Sequence, residues 1–153
     1  MPRRKQNPQS LKETVSTAIK KIVWRVAIYI RLSKDDGNDE SYSVKNQRER
    51  LNDTLEQLML DEDGIEFVGY YIDDGFTGVD SDRDDFQRLL TDIQNGKINC
   101  VLVKDLSRLS RNDWECKYYL QMLFVKRNVR FISLELPKLD SFKGPEEVYD
   151  ISV

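Results

Sequence analysis

Histidine is absent from the 153-residue chain. That absence excludes every Ser-His and Cys-His nucleophile and every His-ligated metal site. Any nucleophile in this protein is therefore activated without an imidazole. Cysteine is scarce, with only Cys100 and Cys116, too few for a disulfide scaffold. The pair reads as two reduced thiols of a cytoplasmic protein, with Cys100 inert inside an apolar strand. Long apolar runs are missing as well. The longest, residues 22–30, is nine residues long and is broken by Arg25. It falls well short of a membrane span and is too short and too late for a signal peptide. Internal repeats and low-complexity segments are also missing.

Charge is abundant. Charged residues make up 33% of the chain and hydrophobic ones 39%, and the charged share exceeds the usual quarter or so. The length fits about one domain and supports a core without staples. The net charge of −3 hides an asymmetry. Residues 1–25 hold seven basic side chains and one acid, leaving 17 basic and 26 acidic residues in the rest, a balance of −9. A basic tail on an acidic body touches nucleic acid in some proteins and is simply solvated in others.

Periodicity divides the chain into three parts. Residues 1–22 form a basic tail, with room for a short helix from Leu11 to Lys21 capped by Ser10. Residues 23–135 alternate strands and helices. Strands are expected at Val23–Ile30, Ile65–Ile72, Ile98–Val103 and Val129–Leu134, all rich in β-branched or aromatic residues. Between them, helical spacing predicts helices over Ser43–Asp61, from Phe86 to a C′ glycine at Gly96, and over Asn112–Lys126. Residues 136–153 read as the start of a linker, ending like a chain that is cut rather than finished. The order argues for an α/β fold: three α/β/α layers around a mostly parallel sheet of four or five strands.

In open α/β sheets, ligands sit outside the carboxyl ends of the strands. Arg31 and Ser33 follow the first strand. Asp73 and Asp74 follow the second, and Arg83 opens the next helix. Lys104, Asp105, Ser107, Arg108 and Arg111 follow the third. Several arginines around a hydroxyl suit phosphoryl chemistry, because guanidinium groups stay protonated and hold phosphate oxygens by paired hydrogen bonds. Nearby positive charge also helps a serine hydroxyl lose its proton. Spacing alone, however, favours ordinary surface ion pairing for these arginines.

Three segments, each after a strand, carry a resemblance. Tyr29-Ile30-Arg31-Leu32-Ser33 resembles the nucleophile motif of the serine site-specific recombinases, the resolvase/invertase family. The run Lys104 to Arg111 (KDLSRLSR) resembles that family's second arginine motif. Tyr71 to Gly78 (YIDDGFTG), followed by Ser81-Asp82-Arg83, resembles the segment between them. Gln47 stands where the family places a glutamine. The long loop from Lys34 to Ser41 is most like the large serine recombinases of transposons and phages. One departure is Ser107: small resolvases carry Asp there, and the nearest acid here is Asp105. Which carboxylate aids proton transfer is therefore open.

The resemblance implies that Ser33 attacks a DNA phosphodiester and forms a 5′-phosphoserine, with no metal and no cofactor. It implies that Arg31, Arg83, Arg108 and Arg111 hold the scissile phosphate. Gln47, Asp73, Asp74, Lys104 and Asp105 would support them. It further implies dimers and tetramers in a full-length protein, with DNA bound mainly through C-terminal domains outside this chain and no membrane partner. Two other readings stand beside it. Asp35, Asp36 and Asp105 at strand ends also fit a magnesium-binding, receiver-like regulatory domain, which needs a lysine after a fifth strand; Lys138 is a poor candidate. An inactive interaction module is the third. Trp24 and Trp114 read as core or partner contacts rather than base-stacking groups. Tyr118 and Tyr119 point to different sides of their helix, so at most one reaches the core.

Phosphate neutralisation supplies most non-specific DNA affinity, and the acidic body supplies little of it. Gel shifts of this chain with duplex DNA at physiological salt are expected to give a Kd weaker than about micromolar; tighter binding would contradict the charge argument.

Overall fold

The computed structural model describes residues 22–32, 40–73, 83–110 and 112–142. Five strands form one sheet: β1 Trp24–Arg31, β2 Ile65–Asp73, β3 Cys100–Val103, β4 Arg130–Ser133 and β5 Leu139–Asp140. Their order is β2-β1-β3-β4-β5. The first four run parallel and β5 pairs antiparallel with β4. Three helices complete the layers: α1 Glu40–Asp61, α2 Asp84–Gln94, and α3 Asp113–Tyr118, which continues in wider π-type turns over Tyr119–Val125.

Strand order dictates which face each helix covers. The step from β1 to β2 goes one way along the sheet; the steps to β3 and β4 go the other. Right-handed crossovers then place α1 on one face and α2 and α3 on the opposite face. The core divides accordingly. Val26, Ile28, Ile30 and Leu102 pack with Leu51 and Leu55 of α1. Ala27, Tyr29, Val101 and Val103 pack with Phe86 and Leu89 of α2 and Leu120 and Phe124 of α3. Strand alternation sends successive residues of β1 to opposite faces, so Arg31 shares the α2–α3 face with Tyr29.

A bulge adjusts β2 to this pattern. Val26 pairs with Phe67 but Ala27 pairs with Gly69, so Val68 is an extra residue in β2. The extra residue shifts the parity of the strand. Beyond it Tyr29 lies opposite Tyr71, and Arg31 opposite Asp73.

Several expected boundaries move. Arg31 belongs to β1 itself, and α1 begins at Glu40 rather than Ser43. Asn112 caps α3 by accepting a hydrogen bond from the Trp114 amide at 2.9 Å, as the expected start at Asn112 requires. Gly96 has φ +75 just past α2, a left-handed C′ position. β5 lies in the segment assigned above to a linker, so the folded body runs past residue 135. A two-residue strand is too short to leave a hydrophobic period. Lys138 precedes β5 rather than following it, so it is not the lysine that a receiver-like domain needs. Trp24 is buried, but Trp114 is 78% exposed; of the two places expected for it, the core is excluded. Tyr119 packs against the core while Tyr118 faces outward. The helix expected at Leu11–Lys21 and the acids Asp35 and Asp36 lie outside the described residues.

Below the sheet, one buried cation joins three elements. Arg130 of β4 forms paired hydrogen bonds to Glu62, just after α1, at 2.9 and 2.7 Å, and to Asp140 of β5 at 3.0 and 2.7 Å. Burial pulls the guanidinium's pKa down, but the bonds to Glu62 and Asp140 outweigh it and hold the group above its ordinary value. Removing one partner from a buried ion cluster leaves uncompensated charge. Arg130→Met is expected to lower the unfolding free energy by about 3 kcal/mol, measured by urea denaturation. A loss below about 1 kcal/mol would show that the carboxylates are stable without it.

Candidate active site

The crossovers leaving β1 and β3 turn to opposite faces, so a crevice opens between the carboxyl ends of these two strands. Arg31 ends β1 on one side of it. On the other side, Lys104 and Asp105 follow β3 and lead into a single 3₁₀ turn, Leu106–Arg108.

Asp105 builds that turn. Its backbone is extended, and its buried carboxylate accepts hydrogen bonds from the Ser107 amide at 3.0 Å and from the Ser107 hydroxyl. Its second oxygen lies 3.6 Å from Nε of Arg108. A short polar side chain capping the next turn is the usual role of Asp at such a position. Here it also aims Arg108.

Three arginines are cross-linked through backbone carbonyls. Arg108 donates to the carbonyl of Arg31, and Arg31 donates to the carbonyl of Ser107. Arg83 donates to the carbonyl of Arg108 at 3.3 Å. Arg83 also lies over the ring of Phe86, 3.8 Å from its centroid, a cation–π contact that holds the guanidinium. Carbonyl partners orient a guanidinium without neutralising it; Arg108 has the Asp105 carboxylate beside it as well. The structure thus brings together the end of β1, the 3₁₀ turn and the start of α2, with three fixed positive charges among them. Such a cluster can bind an oxyanion through several donors.

Asp73 has a different task from direct support of these arginines. Its two oxygens accept from the amides of Asp85 and Phe86 at 3.0 and 3.1 Å, and from the hydroxyl of Tyr29 at 2.6 Å. The carboxylate therefore sits at the positive end of α2. Asp85 returns the contact, accepting from the Ile72 amide at 2.7 Å. This reciprocal clip fixes the first turn of α2, and Arg83 is the residue just before it. Asp73 acts on Arg83 through the helix. Tyr29 was not anticipated, because a tyrosine inside an apolar strand reads as core. Its pKa is raised, first by burial and then by the bond to Asp73. Tyr71 is pushed up to about 12 by burial and by its bond to Asp92.

The remaining residues divide. Lys104 turns to the α1 side, where Nζ lies 3.7 Å from Glu135, which also pairs with Arg50 at 3.0 Å. It does not join the arginine cluster. Gln47, on α1, is 3% exposed, and neither its amide nitrogen nor its amide oxygen has a hydrogen-bond partner. A buried amide without partners is costly. Ser33, Asp74 and Arg111 lie outside the described residues. Cys116 holds the arginine loop from below, its thiol donating to the carbonyls of Ser110 at 2.9 Å and Leu106 at 3.4 Å. Burial raises its pKa, and Cys100 is raised to about 12 for the same reason. Neither is an activated thiolate. Among the described residues, no group of three or more acidic or cysteine side chains is arranged to hold a metal ion. No helix there is long and apolar enough to cross a membrane.

Comparison with known proteins gives a consistent result. The family described as the resolvase N-terminal domain matches residues 26–146. The chain is similar to the N-terminal catalytic domain of TP901-1 integrase, at 32% identity and a TM-score of 0.65, covering 84% of this chain and 91% of that one. It is also similar to a resolvase family site-specific recombinase from Streptococcus pneumoniae, at 30% identity and a TM-score of 0.67, covering 84% and 83%.

The Tyr29–Asp73 contact has a measurable pH signature. Below pH 10 both buried tyrosines are protonated in the folded and unfolded chain alike. Above it the unfolded chain ionises first, so stability falls as pH rises from about 10 upward. Tyr29→Phe is expected to cost about 1 kcal/mol at neutral pH and to make that alkaline fall shallower, as read from urea unfolding between pH 7 and 11. An unchanged alkaline slope would show that the Tyr29 hydroxyl is not held in this way.

Proposed function

The chain belongs to the resolvase N-terminal domain family and is a site-specific recombinase catalytic domain; on that premise we propose that it cleaves and rejoins DNA through a 5′-phosphoserine formed on Ser33. The Ser33 oxygen attacks the scissile phosphorus. A phosphorus–oxygen bond to serine forms, the bond to the 3′-oxygen breaks, the serine gives up its proton, and the departing 3′-oxygen gains one. After strand exchange the 3′-hydroxyl attacks the phosphoserine and reverses each of these changes. One ester replaces another, so the reaction needs no ATP.

The observation that carries this reading is the carbonyl-linked cluster of Arg31, Arg83 and Arg108. In the proposed mechanism these groups, with Arg111, bind the scissile phosphate and stabilise the charge that builds on it during transfer. Their carbonyl contacts hold them in position beforehand, so little reorganisation accompanies the reaction. Asp105 keeps a carboxylate beside Arg108 although Ser107 occupies the position of the small resolvases' Asp; its role is to position that arginine. Asp73 and Tyr29 position Arg83 through α2. Gln47 would support the phosphate with its unpaired amide. Site recognition and assembly into dimers and tetramers fall to other domains of a full-length recombinase.

The test is a covalent trap. The chain is fused to a sequence-specific helix-turn-helix module and given a 3′-labelled duplex site without magnesium, then denatured. Labelled protein is expected, and Ser33→Ala should abolish it. Arg108→Ala should lower it by about a hundredfold or more, the usual scale for losing a transition-state donor. A labelled adduct that survives Ser33→Ala, or none from a folded and DNA-bound fusion, would overturn the proposal.

A further inference from the structure

A second cationic site lies on the α1 side of the same rim. Lys104 follows β3 directly, and Glu135 stands two residues after β4. The Glu135 amide donates to the Lys104 carbonyl at 3.0 Å, which continues the parallel pairing beyond both strands. Through its side chain, Glu135 then joins Lys104, at 3.7 Å, to Arg50 of α1, at 3.0 Å. The trio carries a net charge of +1 in a body that is otherwise acidic. Arg50 lies three residues along α1 from Gln47, about one helical turn, and Gln47 is the buried side chain whose amide finds no partner.

We propose that Arg50 and Lys104 form a clamp for a DNA backbone phosphate next to the one that is cut, with Glu135 as the counter-ion that the phosphate displaces. The clamp rests on the reading of this domain as one that acts on DNA. Its physical basis is the weakness of what holds it shut. The side chains of Arg50, Lys104 and Glu135 are 51%, 28% and 34% exposed, and exposed pairs of this kind contribute little stability. A DNA phosphate arrives with its neighbours and releases counterions on binding, so it competes well with a single carboxylate. Displacement exchanges one negative charge for another and leaves both cations paired. Glu135 keeps the two side chains separated and pre-placed until DNA arrives. The arginine cluster at β1 and β3 is cross-linked through backbone carbonyls, which stay in place.

The test is equilibrium binding of the whole chain to a short duplex across a salt series from about 50 to 200 mM, where slopes are resolved. All variants carry Ser33→Ala, so no covalent adduct contributes. Glu135→Gln is expected to tighten binding several-fold while leaving the slope of log K against log salt unchanged, because the same phosphate is contacted in both proteins. Adding Arg50→Gln and Lys104→Gln should reverse the gain and make the slope shallower by about one, as loss of one phosphate contact does. Glu66→Gln, an equal change of charge at an exposed site at the far end of β2, controls for net charge, and thermal unfolding controls for folding. Equal responses to Glu135→Gln and Glu66→Gln, or a gain that survives loss of Arg50 and Lys104, would overturn the clamp. This assay needs no chemistry at Ser33, so the two proposals fail separately. A Ser33-dependent adduct with an indifferent Glu135→Gln removes the clamp alone. A responsive clamp without any adduct removes the phosphoserine mechanism alone.

Discussion

The hydrogen bond from Arg108 to the carbonyl of Arg31 ties the end of β1 to the turn after β3, and the geometry of the rim depends on it. Two guanidinium groups repel when they share a site. Here each is steered by a carbonyl beside the other, since Arg31 in turn donates to the carbonyl of Ser107. Arg83 joins the same chain through the carbonyl of Arg108. Backbone dipoles thus help to hold three cations in one crevice, with the Asp105 carboxylate beside Arg108.

Behind that rim, a layer of structural polar groups keeps the arginines where they are. Asp105 shapes the turn before Arg108, and Asp73 anchors the first turn of α2 beyond Arg83. Both carboxylates are buried, and both accept from backbone amides. Their work is positional: each sets a helix or turn, and the arginine follows. The thiol of Cys116 does the same for the carbonyls of Leu106 and Ser110. The recombinase domain therefore combines a cationic rim with a buried, hydrogen-bonded foundation.

The two sides of the rim differ in how their cations are held. On the α2–α3 side, backbone carbonyls cross-link the arginines. On the α1 side, Glu135 bridges Arg50 and Lys104 through partly exposed contacts that an anion can replace. The parallel sheet produces this division, because alternation sends Arg31 to one face and leaves Lys104 on the other. At the opposite end of the sheet, Arg130 with Glu62 and Asp140 closes the fold, so the two ends are stabilised by different means.

The order of strands and helices was legible in the chain, because β-branched runs and helical spacing are local signals. So were the two faces of the sheet and the positions of Arg31, Arg83 and Arg108 at strand ends or a helix start, since parallel strands deliver their following residues to one edge. Pairing across the sheet was not legible. The bulge at Val68 that sets Arg31 opposite Asp73 arises from the meeting of β1 and β2, and neither strand reveals it alone. The hydroxyl of Tyr29 finds Asp73 across 44 residues, and Glu135 finds Arg50 across 85. β5 is two residues long and has no period to read; it forms because β4 offers it a partner. Which residues occur at the rim was determined by sequence. Which of them are paired, and by carbonyl or carboxylate, was decided only when distant segments packed together.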